Sequence, residues 1–250
     1  SLNALALLAS GRSEYLPLVR EQVQWASRYR DPEGRSLHSW SYGPVNILLA
    51  EYCLATGDRS FMPDLKRITM EIVRGQSAVG SWGHKFTLAN GRLGGYGMMN
   101  APGLPLTVSL ILARQAGVND PALDQAISRS VRLMRFYVGK GSVPYGDHHP
   151  WIQTHDDNGK NGIAALMFNL LGDAEAAEYF SRMSVASYGA ERDTGHTGNF
   201  FNMLWAMPGV ALSGPKATGA WMKAFGWHYD LARRWDGIYR HQGPPAAKSD

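Results

Sequence analysis

The sequence is short of cysteine, of charge and of long apolar runs, and each shortage excludes something. Among 250 residues there is a single cysteine, Cys53, and one thiol forms neither an internal disulfide nor a cysteine-rich zinc site. No apolar stretch reaches the roughly 18 residues of a membrane-spanning helix, so a soluble chain without a membrane span is expected. Charged residues make up only 18% of the chain, and the formal net charge is +4. Lys and Arg are scattered apart from the pairs Lys66-Arg67 and Arg233-Arg234. The basic stripe of a nucleic-acid binder is missing, and no nucleic-acid partner is expected. Arginines near the loops, such as Arg30, Arg35, Arg92 and Arg192, suit a solvated surface and would also favour an anionic small substrate. Strand signals are nearly absent, so any sheet should be a short hairpin in the loops.

The chain is nevertheless 44% hydrophobic, too apolar for disorder and long enough for one substantial core. Residues 1–10 read as the second half of a buried helix, with no Met start, basic leader or cleavage site before them. The expectation is a piece of a longer protein whose other domains are its partners. Residues 1–240 should form one domain, and 241–250 a tail without apolar period.

The apolar segments end in a recurring phrase: Leu8-Ala9-Ser10-Gly11, Ala55-Thr56-Gly57-Asp58, Gln115-Ala116-Gly117-Val118, Leu171-Gly172-Asp173 and Leu212-Ser213-Gly214. A glycine after a helical run is the left-handed cap that ends a helix. Successive glycines are 42 to 60 residues apart, which leaves room for two helices per unit. The helix before each glycine is apolar nearly all round, as in Leu104 to Leu112, and so should be buried on most sides. The helix after it is amphipathic, as with Leu123, Ile127, Val131 and Met134 on one face. Outer helices are predicted near 61–74, 121–137, 174–187 and 216–235. Alternation of buried and half-exposed helices predicts an all-α fold, an (α/α) toroid or barrel of about five helical hairpins, complete or incomplete.

Long loops precede the inner helices: 36–43, 91–103, 145–162 and 192–199. They mix glycine with His, Asn, Asp and aromatics. In a toroid these loops converge at the mouth of a central funnel, where free helix N-termini attract negative groups.

At the end of the second hairpin stands Gly75-Gln76-Ser77-Ala78-Val79-Gly80-Ser81-Trp82-Gly83, which fits Gln-x3-Gly-x-Trp. In this the chain resembles the terpenoid cyclase/protein prenyltransferase toroid superfamily, and it looks like a bacterial family with repeats of that type. The resemblance implies a structural role, with Gln76 bonding the end of an outer helix and Trp82 stacking on the next unit. Hopene-type cyclases of that superfamily carry an Asp-x-Asp-Asp acid, and the corresponding phrase here is Thr154-His155-Asp156-Asp157, with Thr in the first place. The zinc set of the prenyltransferases is not found, and Cys53 lies within an apolar helix.

The densest polar stretch runs from Tyr145 to Gly162. Adjacent Asp156 and Asp157 repel, so one should hold its proton and act as general acid beside a base; the alternative is that one of them simply caps the helix starting near Asn158. Asp156, Asp157, His155, His196 and Tyr145 are the candidate catalytic residues. Trp40, Tyr42, Tyr96, Asn100, His149, Trp151, Asn158 and Asn199 are the candidate substrate-binding residues, the aromatics as sugar-stacking surfaces or as packing between hairpins. His148, His149, His155, Asp157 and His196 lack metal-ligand spacing, so neither metal nor other cofactor is assigned. The leading functional expectation is a carbohydrate-active enzyme, a polysaccharide lyase or glycoside hydrolase, acting on an oligosaccharide or other small molecule. The rivals are a terpenoid cyclase or prenyl-processing enzyme and a non-catalytic binding module.

Overall fold

The computed structural model describes residues 1–31, 38–88, 90–93, 97–146, 158–187 and 198–237, with residues 38, 158 and 198–200 described by backbone alone. The described chain is all-α, in five successive hairpins. The first helices of the hairpins are α1 (Leu2–Ala9), α3 (His38–Thr56), α5 (Asn100–Gln115), α7 (Asn158–Leu170) and α9 (Gly198–Ala211). The second helices are α2 (Leu16–Ser27), α4 (Met62–Arg74), α6 (Pro121–Arg135), α8 (Ala174–Ala186) and α10 (Pro215–Ala232).

The two sets differ as their patterns require. In α5 every residue from Asn100 to Ala113 is buried, whereas α4 buries Leu65, Ile68, Thr69, Ile72 and Val73 along one face. The first helices therefore make an inner layer, packed α1 on α3, α3 on α5, α5 on α7 and α7 on α9. The second helices lie outside it. The five glycines that close the inner helices all have positive φ: 68° at Gly11, 72° at Gly57, 105° at Gly117, 75° at Gly172 and 91° at Gly214. Past two of them the chain bonds back across the helix end, Val118 N–H to the Ala113 carbonyl and Asp173 N–H to the Phe168 carbonyl, each at 3.0 Å. Such bonds satisfy carbonyls that the helix leaves open. The outer helices then start on Asp120 and Asp173, whose carboxylates accept the N–H groups of Ala122 and Ala176.

Inner helices run parallel to one another. Asn46 of α3 donates to Ser109 of α5, and Gln115 near the end of α5 donates to the Leu170 carbonyl at the end of α7. Helices α7 and α9 meet backbone to backbone. A methyl group on Gly162 would overlap the Trp205 carbonyl, and one on Gly209 would overlap the Gly162 Cα. Only glycine permits that approach.

The Gln76–Trp82 segment is a clamp, with its contacts arranged differently from expectation. The Gln76 side chain does not bond a helix end. Its amide reaches the middle of α6, donating to the Ala126 carbonyl and Ser130 Oγ and accepting from Arg129. It is the Trp82 indole that meets a helix end, donating to the Ile72 carbonyl in the last turn of α4 at 2.9 Å. Trp82 is fully buried and also lies over Gly103 of α5. The expected loop hairpin is reduced, among the described residues, to isolated antiparallel bridges of Met99 with Trp82 and with Gly146.

Candidate functional site

The described contacts draw the starts of four inner helices together. The backbone N–H of Ser39, in the first turn of α3, bonds the His84 carbonyl. At the start of α5, the Asn100 N–H bonds the Tyr145 carbonyl at 2.7 Å, and its side-chain amide donates to the carbonyls of Pro144 and Gly146. Both partners are acceptors, so the amide orientation is fixed, and Asn100 Oδ1 remains buried without a hydrogen-bond partner. In the first turn of α7, the Lys160 ammonium lies 5.7 Å from the centre of the Tyr145 ring. The Gly159 N–H points to Asn202 Oδ1 of α9, and Phe201 of α9 meets the Trp40 ring edge-on, 5.9 Å between centres. The starts of α3, α5, α7 and α9 thus share one end of the inner layer, as the toroid reading requires.

Within this end Trp40 donates its indole N–H to His84 Nδ1 at 3.0 Å. An indole nitrogen only donates, so Nδ1 is the acceptor and the neutral imidazole carries its proton on Nε2. His84 is half-buried, like Trp40 and Tyr145.

Of the candidates named from sequence, the structure brings Trp40, Asn100 and Tyr145 to this shared end. Asn158 and the segment of Asn199 begin α7 and α9 there, by backbone. Tyr42 goes elsewhere. Two residues beyond Trp40, it turns to the outer layer and donates its phenol to Glu71 Oε2 at 2.6 Å. Burial, reinforced by the hydrogen bond and charge of Glu71, holds its pKa well above the ordinary phenol value, so Tyr42 does not act as a base. Tyr96, His149, Trp151, His155, Asp156, Asp157 and His196 lie outside the described residues.

Two residues escaped the sequence reading. His84 follows the Gln76–Trp82 clamp directly, and a polar ring placed just after a structural motif was the available signal. Lys160 is fully buried, and a lysine in the first turn of an otherwise apolar helix was the sign. Its ammonium lies beside the Tyr145 ring. Cys53 is a poor nucleophile, because burial pushes its thiol pKa up. Among the described residues no group of His, Cys, Asp and Glu could hold a metal ion, and the histidine set considered from sequence lies outside them. No described helix is long and apolar enough to cross a membrane.

Over residues 1–250 the chain matches a family described as a domain of unknown function, DUF6288, and it belongs to that family. No curated protein and no solved structure matches it.

Proposed function

We propose that the protein is a carbohydrate-active enzyme, a polysaccharide lyase or glycoside hydrolase, with its site at the shared start of the inner helices. The observation that carries this reading is the company kept there. Two half-buried aromatics, Trp40 and Tyr145, stand beside the oriented imidazole of His84, the buried ammonium of Lys160 and the unmet acceptor of Asn100. Aromatic faces hold sugar rings, and convergent polar groups orient hydroxyls and move protons. A polyene-cyclising pocket should be mostly apolar, and the polarity of this end argues against a terpenoid cyclase. On this reading proton handling falls to Asp156 with His155 or His196, which lie outside the described residues.

The test is a panel of neutral and acidic polysaccharides. Hydrolysis is read as new reducing ends and elimination as the ultraviolet absorbance of an unsaturated product. Tyr145→Phe and Asp156→Asn should each lower turnover by about 100-fold or more, the usual worth of a general acid or base, with the melting temperature unchanged. Full turnover in both variants overturns the site. A panel without any cleavage overturns the enzyme reading and leaves a binding module.

A further inference from the structure

Trp40 and Tyr42 lie two residues apart on α3, as His84 and Phe86 do on the segment beside it. The pair Trp40–His84 belongs to the shared end of the inner helices. The pair Tyr42–Phe86, with ring centres 4.9 Å apart, lies where Tyr42 meets Glu71 of α4. There it lines a separate open cleft of about 320 Å³.

The walls of the cleft are built rather than incidental. Phe86 sits where any side chain on Gly75 would collide with it, and the Thr87 N–H bonds the Gly75 carbonyl. Glu71 is held by donors on both oxygens, Tyr42 at 2.6 Å and Arg67 at 3.1 Å. Thr87 Oγ1 is buried with no hydrogen-bond partner. Arg30 and Arg74 stand at the exposed rim, and neither guanidinium has a hydrogen bond or ion pair with a described residue.

These groups select a ligand chemistry. Guanidinium groups pair with carboxylates through two parallel hydrogen bonds. Asp31 and Glu71 line the same space. Their charge disfavours a phosphate dianion more than a singly charged carboxylate. The Phe86 ring offers an apolar face to a sugar ring, and the volume is at the small end of ligand sites. We propose that this cleft binds a single carboxylated sugar, a uronate unit, through Arg30 and Arg74. The inference names acidic polysaccharide as the substrate class of the site proposed above and rests on that reading for its biological role.

The experiment is calorimetric titration of the whole chain with D-glucuronate, D-glucose and inorganic phosphate, repeated on the Arg30→Gln/Arg74→Gln variant. D-glucuronate should bind about tenfold or more tightly than either of the others, as the loss of a charge-assisted pair or the added repulsion implies. The double variant should lose that preference while keeping its melting temperature. Equal affinity for glucuronate and glucose, tighter binding of phosphate, or an unaffected double variant overturns the proposal. Cleavage is scored separately. Glucuronate binding without turnover of any polysaccharide sinks the enzyme reading and leaves the cleft standing. Turnover that depends on Tyr145 without glucuronate binding does the reverse.

Discussion

Glu51 illustrates what a single half-buried charge does. It sits in the inner helix α3, and burial raises its carboxyl pKa. A carboxyl whose folded pKa exceeds its unfolded value binds protons more readily in the native state. Stability therefore falls as pH climbs from the unfolded to the folded value and stays lower above it. Glu51→Gln should accordingly raise the melting temperature at neutral pH. That gain should vanish in acid below the unfolded carboxylate range; a difference that stays constant with pH would refute the assignment. Trp82 makes a second case. Replacing it with Phe removes the indole donor to the Ile72 carbonyl and leaves a void. Trp82→Phe should cost about 1–3 kcal/mol, measured as a shift in the urea midpoint. An unchanged midpoint would mean that the clamp contributes nothing to stability.

At the scale of elements, two glycines matter for opposite reasons. Gly172 ends α7 with φ 75° and has open space where a methyl group would sit. Gly172→Ala should therefore cost only the left-handed strain, about 1 kcal/mol. Gly162 has ordinary helical backbone, yet its missing side chain is where α9 lies. Gly162→Ala must push two helices apart and should cost more, about 1–3 kcal/mol or beyond. Chemical denaturation of both variants checks the order, and equal losses would contradict the close approach. The contrast explains which elements could be read in advance. A cap glycine announces itself through its neighbours in sequence, since it follows an apolar run and precedes a new amphipathic one. Gly162 depends on Trp205 and Ala206, more than forty residues further on, and no local pattern reports them. For the same reason the bounds of α4, α6 and α8 fell within a few residues of the amphipathic periods, while the contacts of Gln76 were misassigned along the outer helices. Gln76 reaches Ala126 and Ser130 of α6, a pairing that only the packing of neighbouring hairpins decides.

For the whole molecule, the alternation of buried and half-exposed helices was sufficient to specify an all-α double layer. It also predicted that inner-helix starts gather at one end, which Trp40, Phe201, Asn100 and Tyr145 bear out through their contacts. The composition of that end was less legible. Trp40 and Tyr42 look equivalent in sequence, and which one faces inward depends on the rotation of α3 against its neighbours. His84 and Lys160 acquire meaning only beside Trp40 and Tyr145. One feature of the packing bears on motion. Met203, Ala206, Val210, Trp221 and Phe225 form a small apolar cluster of their own between α9 and α10, while the main core runs through the earlier hairpins and reaches α9 at Phe201. A helix anchored through a cluster of five side chains, two of them its own, opens more readily than one sealed within a continuous core. In native-state hydrogen exchange the amides of α10 should lose protection first, α9 more slowly because its glycine seam with α7 must part, and α5 only on global unfolding. The C-terminal hairpin would then be the part of the protein that breathes.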